Sequence, residues 1–585
     1  MKKLLYFAMA LGLVACQAEK VDVNGGANEV ETNYLSVRIK TANLGTRADD
    51  YTANGGQYVD GTAAENAVGT VRFYFFDAEE NAAAVKYVNG SYQSYYDWTA
   101  VKTNDTDHTN SVEKILEAVV VINTNPQDKI PASIVAVLNP GLVENLPTNP
   151  SLAELNEVVK NFGLTTAPTE TSNSFLMTNS VYANGTTKVE AVDIAGHTYS
   201  TEAAALLNPV VIYVERVLAK VSMTTTLPAV EGEGMEGIYD TKKTVGEGEN
   251  AKKIYVKFLG WNTTATADKS NLMKDINASW ADDLMGAEPW TWTNHRSFWA
   301  INPEGVNFVY GPFRKPEKGE APNVAQALTV GTGVSYPQEN AAEDVDGTTT
   351  TTPTQVIIAA QLVGEDKEPF EVAEYAGKLY AGTEDVRQLI ANAANVYKHS
   401  TTQNNDGTQQ EYDKIKPEDL TFVTASADAG KDPKEMTSPR YVVYFVIDKE
   451  KVKEPLYKST GTTDNEGKPV FEAYNSGDED NPFAEVNAEL KKLGSAKVWA
   501  EGNTYYYFDI RHLGTMSTKP GYYGVVRNHV YQTNVNALSG LGTPVYNPDE
   551  VIIPEKPQND DTVIAAQIEI LSWRIVANDY GLNWE

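Results

Sequence analysis

Short runs of β-branched and aromatic residues recur along most of the chain, separated by clusters of Gly, Pro, Asn and Asp. Runs bounded in this way predict β-strands. The clearest fall at residues 71–77, 119–122, 134–138, 210–214, 254–259, 356–362, 441–447, 505–510 and 568–576. Apolar residues at helical spacing are rarer and predict short helices at residues 151–162, 384–395 and 484–493. We therefore predict a mainly β protein of β-sandwich domains with a few short helices.

The length of 585 residues allows about two to four domains. We place the main division just before the strand pattern that begins near residue 210. This predicts an N-terminal β-sandwich domain over residues 48–209 and a larger C-terminal one, with long insertions, over residues 210–545. No repeat of fixed period indicates a solenoid or a propeller.

The segment at residues 33–41 alternates regularly between apolar and polar positions. Leu35, Val37 and Ile39 share one face, and polar residues occupy the other, which is the pattern of a half-buried strand. Removing these three side chains from a core would cost roughly 5–9 kcal/mol, at about 1.5–3 kcal/mol each. An N-terminal exchangeable strand is one interpretation, and an ordinary first strand is the other.

A polar, Gly-containing loop follows this strand at residues 43–50 and includes Arg47. Proteases cut such loops because backbone outside a sheet can enter a protease cleft. Cleavage between Arg47 and Ala48 would detach residues 17–47 as a propeptide that carries the first strand. An ordinary loop arginine is the alternative.

A second long strand pattern lies near the C-terminus, within residues 562–584. Ile568 and Ile570 share one face, whereas Leu571, Trp573 and Ile575 share the opposite one, and this change of phase predicts a bulge. The prolines upstream make residues 546–585 a tether followed by a strand. Such a strand can pair with its own domain, the commoner case, or serve as a donor strand for a neighbour.

The N-terminus has the build of a secretory signal peptide, because Lys2 and Lys3 precede an apolar run at residues 4–14. That run is too short to span a bilayer. It ends in LVAC at residues 13–16, which fits a bacterial lipobox, in which the cysteine thiol is acylated. We predict that residues 1–16 are a lipoprotein signal with Cys16 as the lipidation site; a signal peptide with an incidental cysteine is the alternative.

The net charge of −31 disfavours nucleic acid as a partner, because phosphates would be repelled. Cys16 is the only cysteine, so internal disulfides are excluded. After the N-terminal run, no segment approaches the length of apolar sequence that a transmembrane helix needs. The charge favours a secreted or surface-exposed protein.

No catalytic motif stands out, and we predict that the chain is not an enzyme. Its histidines are far apart in sequence, and no HExxH, GxSxG or phosphate-loop pattern occurs. Calcium in the acidic loop at residues 478–480 is one interpretation, but no EF-hand spacing supports it. We favour a solvated loop and predict no metal ion and no cofactor.

One alternative function is a non-polymerising surface lipoprotein that binds glycans. Four tryptophans lie close together in sequence and could stack on sugar rings: Trp280, Trp290, Trp292 and Trp299. A packed aromatic corner is the interpretation we favour for them.

Several stretches along the chain resemble one known family. They are FLMTNSVY (175–182), VIYVERVLAKVSM (211–223), FLGWN (258–262), HRSFWA (295–300), YPQEN (336–340), YYGVVRNHVY (522–531) and LGTP (541–544). In order and spread, the chain is similar to a Bacteroidales-type fimbrillin of the type V pilin group, and most to the major (shaft) subunit of the minor fimbriae. We expect most motif residues to be structural. Trp261, Trp299 and Tyr531 would fill cores, and Glu215, Arg216 and Lys220 would pair where the domains meet.

The resemblance implies two transthyretin-like β-sandwich domains and a route of assembly. Such pilins reach the outer membrane as palmitoylated lipoproteins, an Arg-specific protease removes the first strand, and a strand from another subunit fills the gap. Carried onto this chain, these roles fall to Cys16, to the bond Arg47–Ala48, and to the released strand of Leu35, Val37 and Ile39. The donor strand would hold Ile568, Ile570, Leu571, Trp573 and Ile575.

The resemblance also implies the partners: identical subunits, anchor and tip subunits, the protease, and a host or bacterial receptor for adhesion, biofilm formation and virulence. The expected location is the outer membrane and then a cell-surface fimbria. A tip adhesin of the same family is an alternative to a shaft subunit.

Overall fold

The computed structural model describes residues 31–42, 61–88, 91–99, 112–124, 130–164, 168–169, 175–180, 182–184, 187–246, 248–276, 301–311, 327–342, 352–400, 411–424, 442–453, 455–477, 481–510, 512, 523–546, 552, 563–572 and 576–577. This part of the chain is mainly β, as the sequence predicts. Within it, no helix has both the length and the apolar character needed to cross a membrane.

The first sheet contains eight strands. Seven follow one another across it in the order β5 (Tyr95–Thr99), β2 (Thr70–Phe76), β7 (Ser133–Leu138), β9 (Met177–Asn179), β13 (Val210–Arg216), β1 (Glu31–Ala42) and β6 (Val112–Thr124). The eighth, β12 (Val192–Asp193), pairs with β7. Phe73, Tyr74 and Phe75 are consecutive in β2 and all fully buried, so both faces of the sheet are covered at this point.

Two five-stranded sheets enclose a second core. One has the order β20 (Val334–Ser335), β14 (Lys220–Thr225), β34 (His529–Ser539), β36 (Val563–Ser572) and β37 (Val576–Ala577). The other has the order β15 (Ile238–Val245), β16 (Lys252–Thr264), β22 (Gln355–Val363), β32 (Asn503–Asp509) and β35 (Thr543–Pro544). Val221 and Tyr531 from the first sheet share one hydrophobic cluster with Trp261 and Ile358 from the second. Two sheets around one core form a β-sandwich.

A third core is built by residues that lie between β22 and β32 in the sequence. Its five-stranded sheet has the order β24 (Lys378–Ala381), β23 (Val372–Tyr375), β31 (Ala496–Trp499), β28 (Val443–Ile447) and β27 (Leu420–Thr424). Helices α3 (Glu384–Ala393) and α4 (Ala484–Lys491) bury Ile390 and Leu490 in its cluster. A four-stranded sheet of β26 (Tyr412–Lys414), β25 (Tyr397–His399), β29 (Tyr457–Thr463) and β30 (Pro469–Ala473) adjoins it in sequence. The sequence indicated long insertions here but not a separate core.

The remaining strands form two-stranded pairs. These are β3 (Lys86–Val88) with β4 (Ser91–Gln93), β8 (Val159–Lys160) with β18 (Ser270–Asn271), β10 (Tyr182–Asn184) with β11 (Thr187–Val189), β17 (Thr266–Ala267) with β19 (Phe308–Val309), and β21 (Asn340–Ala342) with β33 (Tyr523–Val525). Two short helices, α1 (Leu152–Asn156) and α2 (Glu202–Leu207), belong to the first half of the chain, and single 3-10 turns occur at Pro140–Leu142, Gly248–Asn250, Pro417–Asp419 and Ala500–Gly502.

The helix predicted over residues 151–162 is shorter than expected. Ser151 and Glu154 form a reciprocal capping box at its start, but the helix ends at Asn156. The next residues, Val159 and Lys160, pair instead with β18 from a distant part of the chain. Tertiary pairing therefore replaces the weak helical preference of this β-branched segment.

The chain passes from the first sheet to the second sandwich later than the predicted division at residue 210. Strand β13 pairs with β1 and β9 in the first sheet, whereas β14 pairs with β34 in the sandwich. The crossing therefore lies between Arg216 and Lys220. One apolar pattern covers both strands, so the sequence alone does not reveal the point of crossing.

Candidate strand-exchange site

Strand β1 lies inside the first sheet and has backbone partners on both edges. Along residues 31–42 it pairs antiparallel with β6, and its residues 37–41 pair in parallel with residues 210–214 of β13. Nearer its start, Tyr34 exchanges two backbone hydrogen bonds with Tyr199, of 2.7 and 2.9 Å. We call the strip between β13 and β6 that β1 fills the exchange groove. Removing β1 would leave the N–H and C=O groups on both walls without these partners.

Two predicted residues of β1 are fully buried in the first core. Leu35 and Val37 have no exposed surface, and they share one hydrophobic cluster with Val120 of β6 and Ile212 of β13. At about 1.5–3 kcal/mol for each side chain, their burial contributes roughly 3–6 kcal/mol. Strand β1 is therefore part of the core.

The second face of β1 is more enclosed than the sequence predicts. Ser36 is only 2% exposed, and Tyr34 and Arg38 are half-buried, so the prediction of a half-buried strand is wrong at this serine. Helix α2 lies beside both β1 and β6, and it buries Ala205. This face of β1 is therefore covered at Ser36 and not open to solvent.

The other residues predicted at this end of the chain are described in part or not at all. The backbone of Ile39 pairs with Ile212 and Leu116, but its side chain is not among those described. Cys16, Arg47 and Ala48 lie outside the described residues. Lipidation and cleavage at these positions therefore stay predictions.

The C-terminal strand pairs with its own domain. Strand β36 runs antiparallel to β34, with Ile568 opposite Thr533, Ile570 opposite Tyr531 and Leu571 opposite Val530. On its other edge, residues 569–570 are the ones that pair within the described part of the chain, with the two residues of β37. Most of this edge therefore has no strand partner within the described part of the chain.

The bulge predicted at the change of phase between Ile570 and Leu571 does not occur. From Ile568 to Ser572 the pairing is regular, and the register shifts instead between Val535 and Ala537 of β34. Strand β36 ends at Ser572, and residues 576–577 of β37 pair antiparallel with residues 569–570. Trp573 and Ile575 lie outside the described residues.

A buried polar cluster joins the first sheet to the second sandwich. Arg216, at the end of β13, is 2% exposed, and its guanidinium donates to the backbone oxygen of Glu65 over 3.1 Å. It also donates to the side-chain oxygens of Asn66 and Asn528, the latter over 3.1 Å. Arg216 therefore connects a wall of the exchange groove to the residue that precedes β34.

Glu65 is the acidic centre of this cluster. Its carboxylate lies 2.6 Å from the ammonium of Lys220 and accepts a hydrogen bond of 2.6 Å from the hydroxyl of Tyr336. Burial by itself raises the pKa of Glu65, but Lys220, Tyr336 and the backbone N–H of Thr62 together lower it below the usual range. Burial and the adjacent Glu65 raise the pKa of Tyr336. Glu65 is therefore charged at neutral pH.

The sequence identified only part of this cluster. It predicted that Glu215, Arg216 and Lys220 would pair where the domains meet; Arg216 and Lys220 do lie there, but both contact Glu65 or its neighbour. The pattern TAAE at residues 62–65 has the form of a capping box, which is a turn signal that the sequence offers. In the structure the backbone N–H of Thr62 donates to the Glu65 carboxylate, and the backbone N–H of Glu65 donates to the Thr62 hydroxyl. That signal predicts the turn and not its distant partners.

A second buried ion pair lies beside the first. Arg527 donates to Glu339 over 2.7 Å and to the backbone oxygens of Asn271 and Leu272 over 2.6 and 2.9 Å. Both side chains are almost completely buried. Their partners belong to the segment that pairs with β8, so this pair also holds the two parts of the chain together.

The other candidate sites lie partly inside and partly outside the described residues. Among the residues described, no three His, Cys, Asp or Glu side chains come together as metal ligands would. Trp261 and Tyr531 are fully buried, and the Tyr531 hydroxyl is 2.7 Å from His512 Nδ1, so both fill the core as expected. Trp280, Trp290, Trp292 and Trp299 and the acidic loop at residues 478–480 lie outside the described residues.

The chain is similar, at low sequence identity, to solved structures of fimbrial proteins. Three solved structures illustrate the likeness: fimbrilin FimA of Porphyromonas gingivalis (13% identity, 93% of this chain, 98% of that chain, TM-score 0.33), the tip fimbrial protein Mfa3 of P. gingivalis (10%, 93%, 100%, 0.30) and a fimbrial assembly protein of Parabacteroides distasonis (13%, 58%, 98%, 0.24). No curated protein matches the chain.

A family model gives a match in sequence. Residues 497–579 match the model described as major fimbrial subunit protein type IV, Fimbrillin, C-terminal. This segment includes β34 and β36, the strand pair that holds the chain's C-terminal strand. The resemblance to fimbrillins inferred from the sequence is thereby confirmed, and residues 497–579 are similar to a fimbrillin C-terminal region.

Proposed function

We propose that this chain is a structural subunit of a cell-surface fimbria that polymerises by donor-strand exchange. In this proposal the chain is exported as a lipoprotein through Cys16 and cut between Arg47 and Ala48. The propeptide over residues 17–47, which contains β1, then leaves with the lipid-bearing Cys16, and the C-terminal strand of another subunit enters the exchange groove. Identical subunits, with anchor and tip subunits at the two ends, are the partners.

The observation that carries the proposal is the position of β1. It is the first described strand, yet it lies between β13 and β6 with partners on both edges. A strand of this kind leaves a complete slot when it is removed, and the walls of that slot are apolar and rich in unpaired backbone groups. A replacement strand would restore both the burial of apolar side chains and the backbone hydrogen bonds, which is the physical basis of strand addition.

The C-terminal strand supports the proposal from the other end. Strand β36 has one long partner, β34, and its other edge is mostly without a strand within the described residues. A strand held along a single long edge can leave without opening the interior of a sheet. The match of residues 497–579 to the fimbrillin C-terminal region includes this strand.

The experiment is to isolate the protein from the cell surface, sequence its N-terminus and run it unheated and heated on a denaturing gel. We expect an N-terminus at Ala48 and a ladder that collapses on boiling, because exchanged strands are held without covalent bonds. A lipid-blocked Cys16 with a single monomer band would overturn the proposal in favour of a tethered lipoprotein.

A matched pair of variants tests the cleavage bond. Arg47→Lys keeps the positive charge but removes the side chain that an Arg-specific protease reads, so we expect full-length protein and no ladder. Arg38→Lys makes the same change within β1, where backbone paired in a sheet cannot enter a protease, and we expect normal processing. Processing of both variants would place the cut at another residue.

A further inference from the structure

The strand that fills the exchange groove and the chain's C-terminal strand share a sequence. Residues 35–39 read LSVRI, and residues 571–575 read LSWRI, so the two segments differ only at Val37 and Trp573. We propose that this identity sets the register of strand exchange. Leu571 takes the place of Leu35 in the groove of the neighbouring subunit, and Ser572 takes the place of Ser36. This inference rests on the function proposed above.

The groove makes a different demand at each position of the shared sequence. The site of Leu35 is fully buried and apolar, whereas the next residue, Ser36, is 2% exposed on the opposite face. A large side chain in place of Ser36 would clash with the residues that cover that face. In the proposed register Leu571 and Ser572 satisfy both demands, and Arg574 falls at the half-buried position of Arg38.

Other registers satisfy these demands less well. A slip by one residue exchanges the two faces, because side chains alternate along a strand. Ser572 then falls at the buried site of Leu35 or Val37, and a large side chain falls at the enclosed site of Ser36. A slip by two residues that places Glu569 at the position of Leu35 would bury a carboxylate in an apolar site, which is costly without a partner. The opposite slip by two places Trp573 at the position of Leu35 and Arg574 at the enclosed position of Ser36.

The direction of the strand is fixed by the same identity. Strand β1 runs parallel to β13 and antiparallel to β6. Because the shared residues occur in the same N-to-C order, the incoming strand must run in the direction of β1 to use the same positions. The single difference, Trp573 in place of Val37, requires the groove to widen at one point, since Val37 has no exposed surface.

A cysteine pair across the groove wall tests the register. Ser36 is directly opposite Val119 of β6, so the proposed register brings Ser572 of one subunit opposite Val119 of the next. Within one chain the two cannot meet, because Ser572 is opposite His529 in a different sheet. The only native cysteine is Cys16, which is removed in the proposed processing, so the mature background is free of thiols.

The test variant is Ser572→Cys with Val119→Cys, and the matched control is Ser572→Cys with Val121→Cys. Val119 and Val121 are both half-buried valines on the same face of β6, two residues apart. After oxidation of surface-isolated polymer, we expect a ladder that survives boiling without reductant for the first pair and is lost for the second. Reduced samples of both should show the ordinary ladder, which verifies folding and assembly.

Each other outcome overturns a defined statement. Cross-linking of the Val121 pair, or of neither pair in a polymer that still forms, would overturn the register and leave strand exchange in place. Absence of any polymer from the parent protein would overturn the proposed function itself, and the register with it. If the double variants fail to assemble, mixed polymer of Ser572→Cys chains with Val119→Cys chains gives the same decision.

Discussion

The guanidinium of Arg216 donates a hydrogen bond of 3.1 Å to the side-chain oxygen of Asn528, and both residues are buried. Arg216 ends β13, a wall of the exchange groove, and Asn528 immediately precedes β34, the partner of the C-terminal strand. The backbone N–H of Asn528 also donates to Leu218, over 2.8 Å. The wall of the exchange groove and the strand that holds the C-terminal strand are therefore joined by one polar contact.

Asn528 serves both as a hydrogen-bond acceptor and as a backbone turn. It has a φ of +59°, in the left-handed region that most side chains disfavour. We expect Asn528→Ala to lower the free energy of unfolding by roughly 1–3 kcal/mol for the lost acceptor, and by about a further 1 kcal/mol for the strained backbone. Asn528→Gly removes only the acceptor and should be less damaging, although glycine also adds unfolded-state entropy. Chemical denaturation measures both, and equal losses would show that backbone strain is unimportant here.

Glu65 should make the junction sensitive to acid. Because its pKa is lower in the folded protein than in the unfolded chain, ionised Glu65 stabilises the fold fully above about pH 4.3, the usual Glu pKa. That contribution is lost as the pH falls through the lowered folded pKa. We expect Glu65→Gln to cost roughly 1–3 kcal/mol at pH 7 and the difference from the parent to shrink below about pH 4.

Thermal melting at pH 7 and at lower pH measures this difference. Glu79→Gln is the matched control, because Glu79 is exposed and should change stability little at either pH. A penalty for Glu65→Gln that stays constant as the pH falls would show that the carboxylate charge does not stabilise the junction.

Leu35 should matter to the precursor and not to the polymer. Leu35→Ala removes a fully buried side chain, so we expect the full-length chain to lose about 2–5 kcal/mol. If β1 leaves during processing, polymer formed from this variant should dissociate at the same temperature as parent polymer. Leu207→Ala, at a leucine that is 82% exposed on α2, should change the precursor by less than about 0.5 kcal/mol. A less heat-stable Leu35→Ala polymer would mean that β1 remains in the sheet.

Local patterns predicted the strands well, because β-branched and aromatic runs such as residues 134–138 and 356–362 are bounded by clear turn residues. They failed where a distant segment decides the outcome. Residues 159–160 left a helical pattern to pair with β18, and Ser36 is buried although alternation places it on the polar face. Neither partner is close in sequence.

The sequence predicted the strand that fills the exchange groove but not the two strands that form its walls. The alternation of Leu35 and Val37 indicated a strand with a buried face, but no local pattern shows that β13 and β6 enclose it on both edges. Glu65 was missed for the same reason, since Lys220 and Tyr336 reach it from far along the chain. By contrast, the shared residues of segments 35–39 and 571–575 are readable directly, and they acquire meaning once the burial of Ser36 is known.

A disulfide that holds β36 on β34 should block assembly. Gln532 and Glu569 are directly opposite each other in this strand pair, and Gln532 is only half-buried, so cysteines there should perturb the core little. We expect oxidised Gln532→Cys/Glu569→Cys protein to remain monomeric, because the C-terminal strand can no longer leave its own domain. Reductant should restore the ladder on unheated gels, and each single variant should polymerise in either condition. A ladder formed by the oxidised double variant, with its free thiols shown to be absent, would mean that assembly does not require release of β36.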